Sequence, residues 1–345
     1  MKRARFLYYG VIVFLIAIQS GYGQIKKQAQ TGFRFLENPV NAEVVGRGGF
    51  GITNLHNSSA IFWNPAGLGW ISSGLDLSVH YTKGIADINQ TSMACALSLG
   101  NIGVLAVSAI AMDYGTFYGT RRPGPGDSAP DWKRGYVETD EFSPNANAFG
   151  IAYARAVSDR FTFGLHFKLA HQDLGVAYLG QVDDTGTVPD SSITKKNYTI
   201  TVPAVDVGAY YDFDLYGISF GASVMNISRE VRYVNEPFPL PFVMKFGSSF
   251  QLLSLLGIDP SVHDLIVGLE SRHGRDFGEK LHIGIEYRLL DTFIARTGYM
   301  SNYTERGATI GVGIHFRGIH YDYALQNFGV FGDIHLMSIG IRFGT

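Results

Sequence analysis

The chain has 345 residues but only one cysteine, little charge, and no second long apolar run. Cys95, within Ser92-Met93-Ala94-Cys95-Ala96-Leu97, has no partner in the chain. An intramolecular disulfide is therefore excluded, and a small buried apolar role is expected for it. Charged residues make up 17% of the sequence, below the roughly 25% usual in globular chains. A net charge of −2 gives no reason to expect a nucleic-acid partner. Beyond Ile18 no stretch approaches the roughly 18 apolar residues that a membrane helix needs, so a helical inner-membrane protein is not expected. Gly-x-Ser-x-Gly elbows, His-Glu-x-x-His pairs and Cys/His zinc spacings are missing too.

What the chain does have is glycine and aromatics: 42 Gly, 24 Phe and 19 Tyr. That composition suits strands joined by tight turns and flanked by interfacial girdles. Alternation points the same way. Leu281, Ile283, Ile285, Tyr287 and Leu289 interleave with Lys280, His282, Gly284, Glu286 and Arg288. Ala308, Ile310, Val312, Ile314 and Phe316 interleave with Thr309, Gly311, Gly313, His315 and Arg317. Phe161, Phe163, Leu165, Phe167 and Leu169 repeat the pattern. Successive strand side chains face opposite ways, so each run has one greasy and one wet wall. Soluble strands average about five or six residues, whereas tilted membrane strands need about ten.

Residues 1–23 carry an export signature: Lys2, Arg3 and Arg5, an apolar stretch from Phe6 to Ile18, then Gly21-Tyr22-Gly23. They are expected to be a cleaved signal peptide, with Gln24 as mature start. After them about fourteen strand segments are predicted from alternation and turn residues. They fall near 74–82, 91–99, 103–112, 146–155, 161–171, 204–213, 217–225, 241–249, 263–271, 279–289, 292–300, 307–316, 319–326 and 333–343. Connections alternate between tiny, as at Gly100-Asn101 and Arg317-Gly318, and long, as at 113–145 and 172–203. Short turns at one rim and long loops at the other form the outer-membrane barrel pattern. One connection, Gln251 to Val262, is long at the short-turn rim, and Leu252-Leu253-Ser254-Leu255-Leu256 suggests a short amphipathic helix there. The loops carry Arg121-Arg122-Pro123-Gly124-Pro125-Gly126-Asp127 and Asp183-Asp184-Thr185-Gly186, without calcium-loop spacing; solvated or partner-binding surface is expected.

Residues 32–73 do not alternate and precede the first strand. They contain Gly46-Arg47-Gly48-Gly49-Phe50-Gly51, then Asn57-Ser58-Ser59-Ala60, then Asn64-Pro65-Ala66-Gly67-Leu68. A phosphate loop is set aside for want of a Gly-Lys-Ser/Thr ending. This stretch resembles the N-terminal hatch of the PorV/PorQ family of Bacteroidetes-type outer-membrane proteins, and the Asn-Pro-Ala box is similar to that of FadL-like fatty-acid transporters. The chain departs from its relatives at Asn57, where many carry an acidic residue, and at its Phe343-Gly344-Thr345 end.

The resemblance implies a fourteen-stranded barrel over 74–345, polar-lined and obstructed by a hatch at 24–73. It implies a role in type IX secretion, through secretion components or exported proteins with C-terminal sorting domains, in the outer membrane of a Gram-negative cell. The alternative it implies is uptake of a hydrophobic small molecule through a lateral opening, with an inward-kinked strand near 103–112. The residues singled out are Gly46, Gly48, Gly49, Gly51, Asn64, Pro65, Ala66, Gly67 and Leu68. No catalytic residue, metal or cofactor is expected. His320 and Asp322, sharing one strand face near His282 and His315, are read as lumenal polar groups rather than a hydrolase centre. Arg288, Arg317, Arg296, Glu286 and Glu270 are expected to pair with each other or with the hatch.

Overall fold

The computed structural model describes residues 31–72, 74–124, 127, 133–179, 194–213, 217–254 and 257–344. The expected signal peptide, Asp183-Asp184-Thr185-Gly186 and part of the expected 252–256 helix lie outside them. The described residues of that last connection form turns and irregular backbone, apart from Ser254, which is in 3-10 conformation.

Greasy-and-wet alternation resolves into a closed antiparallel barrel of fourteen strands. In chain order the strands are β1 (Leu75–Lys83), β2 (Asn89–Ser98), β3 (Val104–Asp113), then a hairpin of β4 (Phe117–Arg121) and β5 (Val137–Phe142) outside the barrel. They continue as β6 (Asn145–Ser158), β7 (Phe161–Leu179), β8 (Thr194–Asp212) and β9 (Ser219–Ile227), followed by a second small hairpin, β10 (Val231–Arg232) and β11 (Pro237–Phe238). The rest are β12 (Val243–Gln251), β13 (His263–Gly274), β14 (Lys280–Leu289), β15 (Phe293–Met300), β16 (Ala308–Phe316), β17 (Ile319–Asn327) and β18 (Asp333–Phe343). β18 closes on β1, with Leu75 opposite Phe343 and Lys83 opposite His335. Closure leaves no unpaired edge, which lipid would penalise heavily. No helix is long and apolar enough to cross a membrane, which says nothing against a barrel.

The expected faces are the observed ones. Ile310, Val312 and Ile314 are more than half exposed on the outside, while Thr309 is 2% exposed within. Outward Val79, Leu105, Ile151, Phe167, Ile285 and Ile339 continue the apolar belt around the barrel.

Four expectations need correction. The 172–203 loop is shorter than expected, because β7 and β8 run on together past the membrane to Leu179 and Thr194. Beyond Ala170 burial no longer alternates, since both faces meet water, and the period that betrays a membrane strand fades. Cys95 is only half-buried and lies in an outward groove beside Leu97, Leu105 and Val107, because alternation places it on the lipid face with Met93. Arg317 sits exposed in the turn between β16 and β17, over the Phe316 ring, and lines no lumen. The lumen itself is only half polar. On β2, β3, β6, β7 and β8 its wall is Ala94, Ala96, Ala106, Ala148, Ala152, Ala154, Ala170 and Ala204, packed against Ile61, Phe62 and Leu68. Small inward residues make room there for large side chains from elsewhere in the chain.

Candidate functional site

The interior is occupied by residues 31–72, which contribute no barrel strand. Their backbone starts near the rim opposite the barrel's two ends, where Thr31 and Arg34 bond Asp276 and Gly32 N–H donates to Pro239 O. It finishes at the other rim, where Arg342 donates to His56 O and Ser58 N–H donates to Asp76.

The glycine-rich turn seats on strand glycines. The short helix Ala42–Gly46 is capped by Asn41 and ends against the Gly311 Cα. Gly48 and Gly49 have φ of 70° and 74°, the left-handed region that glycine enters without steric cost. Gly48 N–H donates to Thr309 Oγ1 at 2.9 Å, and Gly48 O lies 2.6 Å from His282 Nδ1. Since that oxygen can only accept, Nδ1 carries the proton, and Nε2 accepts from Tyr303 at 3.0 Å. Gly51 and Ile52 both donate N–H to one Glu270 oxygen, at 2.8 and 2.9 Å.

The Asn64-Pro65-Ala66-Gly67-Leu68 box seats in the same manner. Asn64 Oδ1 caps Ala66 N–H at 3.2 Å, and its Nδ2 donates to Ile52 O and to Ala209 O of β8. Pro65 and Asn64 press against Gly164 and Gly208, a facing pair across β7 and β8 where any Cβ would collide with the box. Thr162 closes the seat by donating to Ala66 O at 2.8 Å, Gly67 packs under Leu55 O, and Leu68 is wholly buried. Asn57, the departure from the resembled family, caps the next short helix and donates to Glu43.

One charge network joins this segment to β14–β17. Glu286 accepts from Arg296 at 2.6 Å, Arg288 at 2.6 Å and Arg47 at 3.3 Å, and Arg296 also reaches Asp322 at 2.5 Å. Arg47 is 1% exposed; its Nε and Nη2 donate to Phe50 O and Asn54 O. Thus Arg288, Arg296, Glu286 and Glu270 do pair as expected. His315 also reaches Asp322, at 3.2 Å, whereas neither ring nitrogen of His320 has a hydrogen-bond partner among the described residues. No Ser or Cys nucleophile joins them in these contacts.

The arrangement that sequence reasoning missed is elsewhere. Ser108 Oγ is 3.0 Å from His166 Nε2, and His166 Nδ1 is 2.9 Å from Asp206 Oδ2. Only Gly150, on the strand between, leaves space for the imidazole. The three residues are spread over β3, β7 and β8, so no local spacing could have announced them. Two features separate this relay from an acyl-transfer centre. Lys168 donates to the same Asp206 oxygen at 2.8 Å, neutralising the charge that would stabilise an imidazolium. Ser108 is also mid-strand, paired with Ala94 and Gly150, so its amide belongs to the ladder and not to an oxyanion hole.

Above the packed segment, toward the rim away from the barrel's ends, lies a cavity of about 350 Å³. Ile61, Phe62, Trp63, Ser108, His166 and Lys245 are among the residues lining it. Burial is the main influence on Glu37 at its edge and raises that carboxyl above its ordinary range, against the pull of Arg34. Among the described residues no group of three or more His, Cys, Asp or Glu is placed to hold a metal ion.

Comparison with known proteins adds three findings. Residues 133–340, more than half of the chain, match a family model described as type IX secretion system membrane protein PorP/SprF. That family, not the PorV/PorQ family of the sequence resemblance, is the one matched. A search of curated proteins finds no match. Among solved structures, the toluene transporter TbuX of Ralstonia pickettii is similar at TM-score 0.55 and 14% identity, covering 88% of this chain and 98% of its own. A Pseudomonas aeruginosa FadL homologue is similar at TM-score 0.55 and 13% identity, covering 89% and 99%. The P. putida toluene transporter TodX is similar at TM-score 0.53 and 10% identity, covering 90% and 100%. At such identities these neighbours bear on fold alone.

Proposed function

The chain belongs to the PorP/SprF family of type IX secretion system membrane proteins, and on that premise we propose that it serves protein export by binding, not by chemistry. Residues 1–23 would be removed as a signal peptide, 24–73 would act as a hatch closing the lumen, and 74–345 would form the outer-membrane barrel. The partner would be an exported protein with a C-terminal sorting domain, or another secretion component, held at the rim away from the barrel's ends. A task of PorV/PorQ type, receiving exported proteins and passing them on, is the finer form of this reading.

The observation that carries it, together with the family, is the continuity of the wall on both sides of β3. β3 pairs residue by residue from Val104 to Asp113 with β6, and from Val104 to Asp113 with β2. The same rim bears the β4–β5 hairpin, with Phe117 and Phe142 stacked at 5.9 Å, and the extended β7–β8 hairpin. A rigid barrel presenting such projections supplies a docking surface.

Uptake of a hydrophobic solute is the second reading, favoured by the likeness in fold to transporters. It needs a lateral opening near 103–112, where the ladder is complete. Deleting the gene separates the two. The secretion reading expects proteins with C-terminal sorting domains to remain in the periplasm. Normal surface display with impaired growth on a hydrophobic carbon source would replace it with uptake.

A further inference from the structure

Six cations line the cavity above the packed segment, and they divide into two groups. Lys168 is paired with Asp206 at 2.8 Å, Arg272 with Glu270 at 2.6 Å, and Arg34 with Glu37 at 2.9 Å and with Asp276. Lys245, Lys280 and Arg306 have no hydrogen bond or ion pair to an acidic group among the described residues. Aromatic rings hold them instead.

Lys245 on β12 is 6% exposed, with its ammonium 5.0 Å from the Trp63 ring centre. The Lys280 ammonium is 3.6 Å from Phe277 and 4.1 Å from Tyr303. Arg306 stands 5.7 Å from Tyr303 and 5.1 Å from Phe328. A cation–π contact orients a cation without cancelling its charge. The two carboxylates that line the cavity, Glu37 and Asp206, are already engaged. Three cations oriented by rings therefore line one cavity with no acid bonded to them among the described residues. Glu37, Asp276, Glu270 and Asp206 act on them only through space, and six cations face four carboxylates.

Burying a lysine with no acceptor is costly, and a bound anion would offset that cost. About 350 Å³ lies at the lower end of small-molecule sites, which run from about 300 to 1,000 Å³. The volume suits a compact ligand rather than a polypeptide domain. We propose that this cavity binds a small polyvalent anion, carboxylate or phosphate groups on a compact skeleton, with Lys245 as its buried anchor and Lys280 and Arg306 closing on it from the mouth. The site is independent of the secretion reading: a barrel that exports nothing would still bind the anion.

The test uses the full chain purified in a non-ionic detergent and titrated with citrate, pyrophosphate or acetate by calorimetry. Preference between citrate and pyrophosphate distinguishes carboxylate from phosphate ligands. At least one of the two should bind, and acetate about ten-fold or more weaker, since only a polyvalent anion engages several cations. Lys245→Met, which keeps the stem on Trp63, should weaken binding about ten-fold or more, and Lys245→Arg should preserve it. If Lys245→Met does not fold, the rim pair Lys280→Gln with Arg306→Gln carries the same expectation. Failure of both polyvalent anions to bind overturns the proposal. Equal binding by the wild type and a folded variant overturns it too.

Discussion

The backbone of Gly48 lies so close to Gly298 that a methyl group on Gly298 would overlap the Gly48 amide nitrogen and Cα. The contact recurs around the wall. Gly208, Gly221, Gly247, Gly268, Gly284 and Gly311 each leave space that a Cβ would take from residues 46–66. A belt of inward glycines, carried by neighbouring strands, thus forms the seat of the N-terminal segment.

Gly298→Ala should cost about 1–3 kcal/mol by overpacking. Its urea midpoint should fall and its conductance in planar bilayers should rise as the segment lifts. Gly278→Ala is the control, because nothing lies near its Cβ position. Equal behaviour of the two variants would remove the belt's structural role.

Glu286 is fully buried beneath three guanidinium groups. Glu286→Gln leaves those charges without their carboxylate and should lower stability by about 3–5 kcal/mol. Arg288→Gln should cost less, because Arg296 and Arg47 still hold the carboxylate. Denaturant unfolding of the two variants in the same detergent measures the gap, and a reversed order would refute this account of the network.

Val312 lies mid-strand on the outward face. Val312→Arg should destabilise the vesicle-inserted barrel by about 2–4 kcal/mol. Val330→Arg, in a connection where the side chain is 87% exposed, should stay within about 0.5 kcal/mol. Comparable folding of both into vesicles would mean that the outward belt does not face lipid.

Ser108 should not react with a fluorophosphonate, because Asp206 is shared with Lys168 and the strand amide is spent in the ladder. Mass spectrometry of the treated protein reads this directly. An adduct on Ser108 that disappears in His166→Ala would make the relay a nucleophilic centre and displace the binding-only reading.

Although the hairpins β4–β5 and β10–β11 outside the barrel were not read, alternation around Ile283, Ile310 and Phe163 determined from sequence which residues meet lipid, how many strands the barrel has and where short turns fall. It could do so because a strand between lipid and lumen has two chemically different sides. The Asn64–Leu68 box was singled out by its resemblance to a known hatch, and that its Asn caps the turn before Pro came from the structure. Beyond Ala170, where water bathes both faces, the same reading missed the extensions of β7 and β8.

Only the tertiary structure decided what the inward face is for. In sequence an inward glycine or alanine is merely a residue with little side chain, and nothing near Gly298 indicates that Gly48 will rest on it. The wall divides into an alanine half and a charged half. Ser108, His166 and Asp206 meet across Gly150, and Lys245 stands over Trp63 with no acid bonded to it among the described residues. All of this depends on strands distant in sequence curving around one interior, and closure is a property of the whole sheet that no segment carries alone.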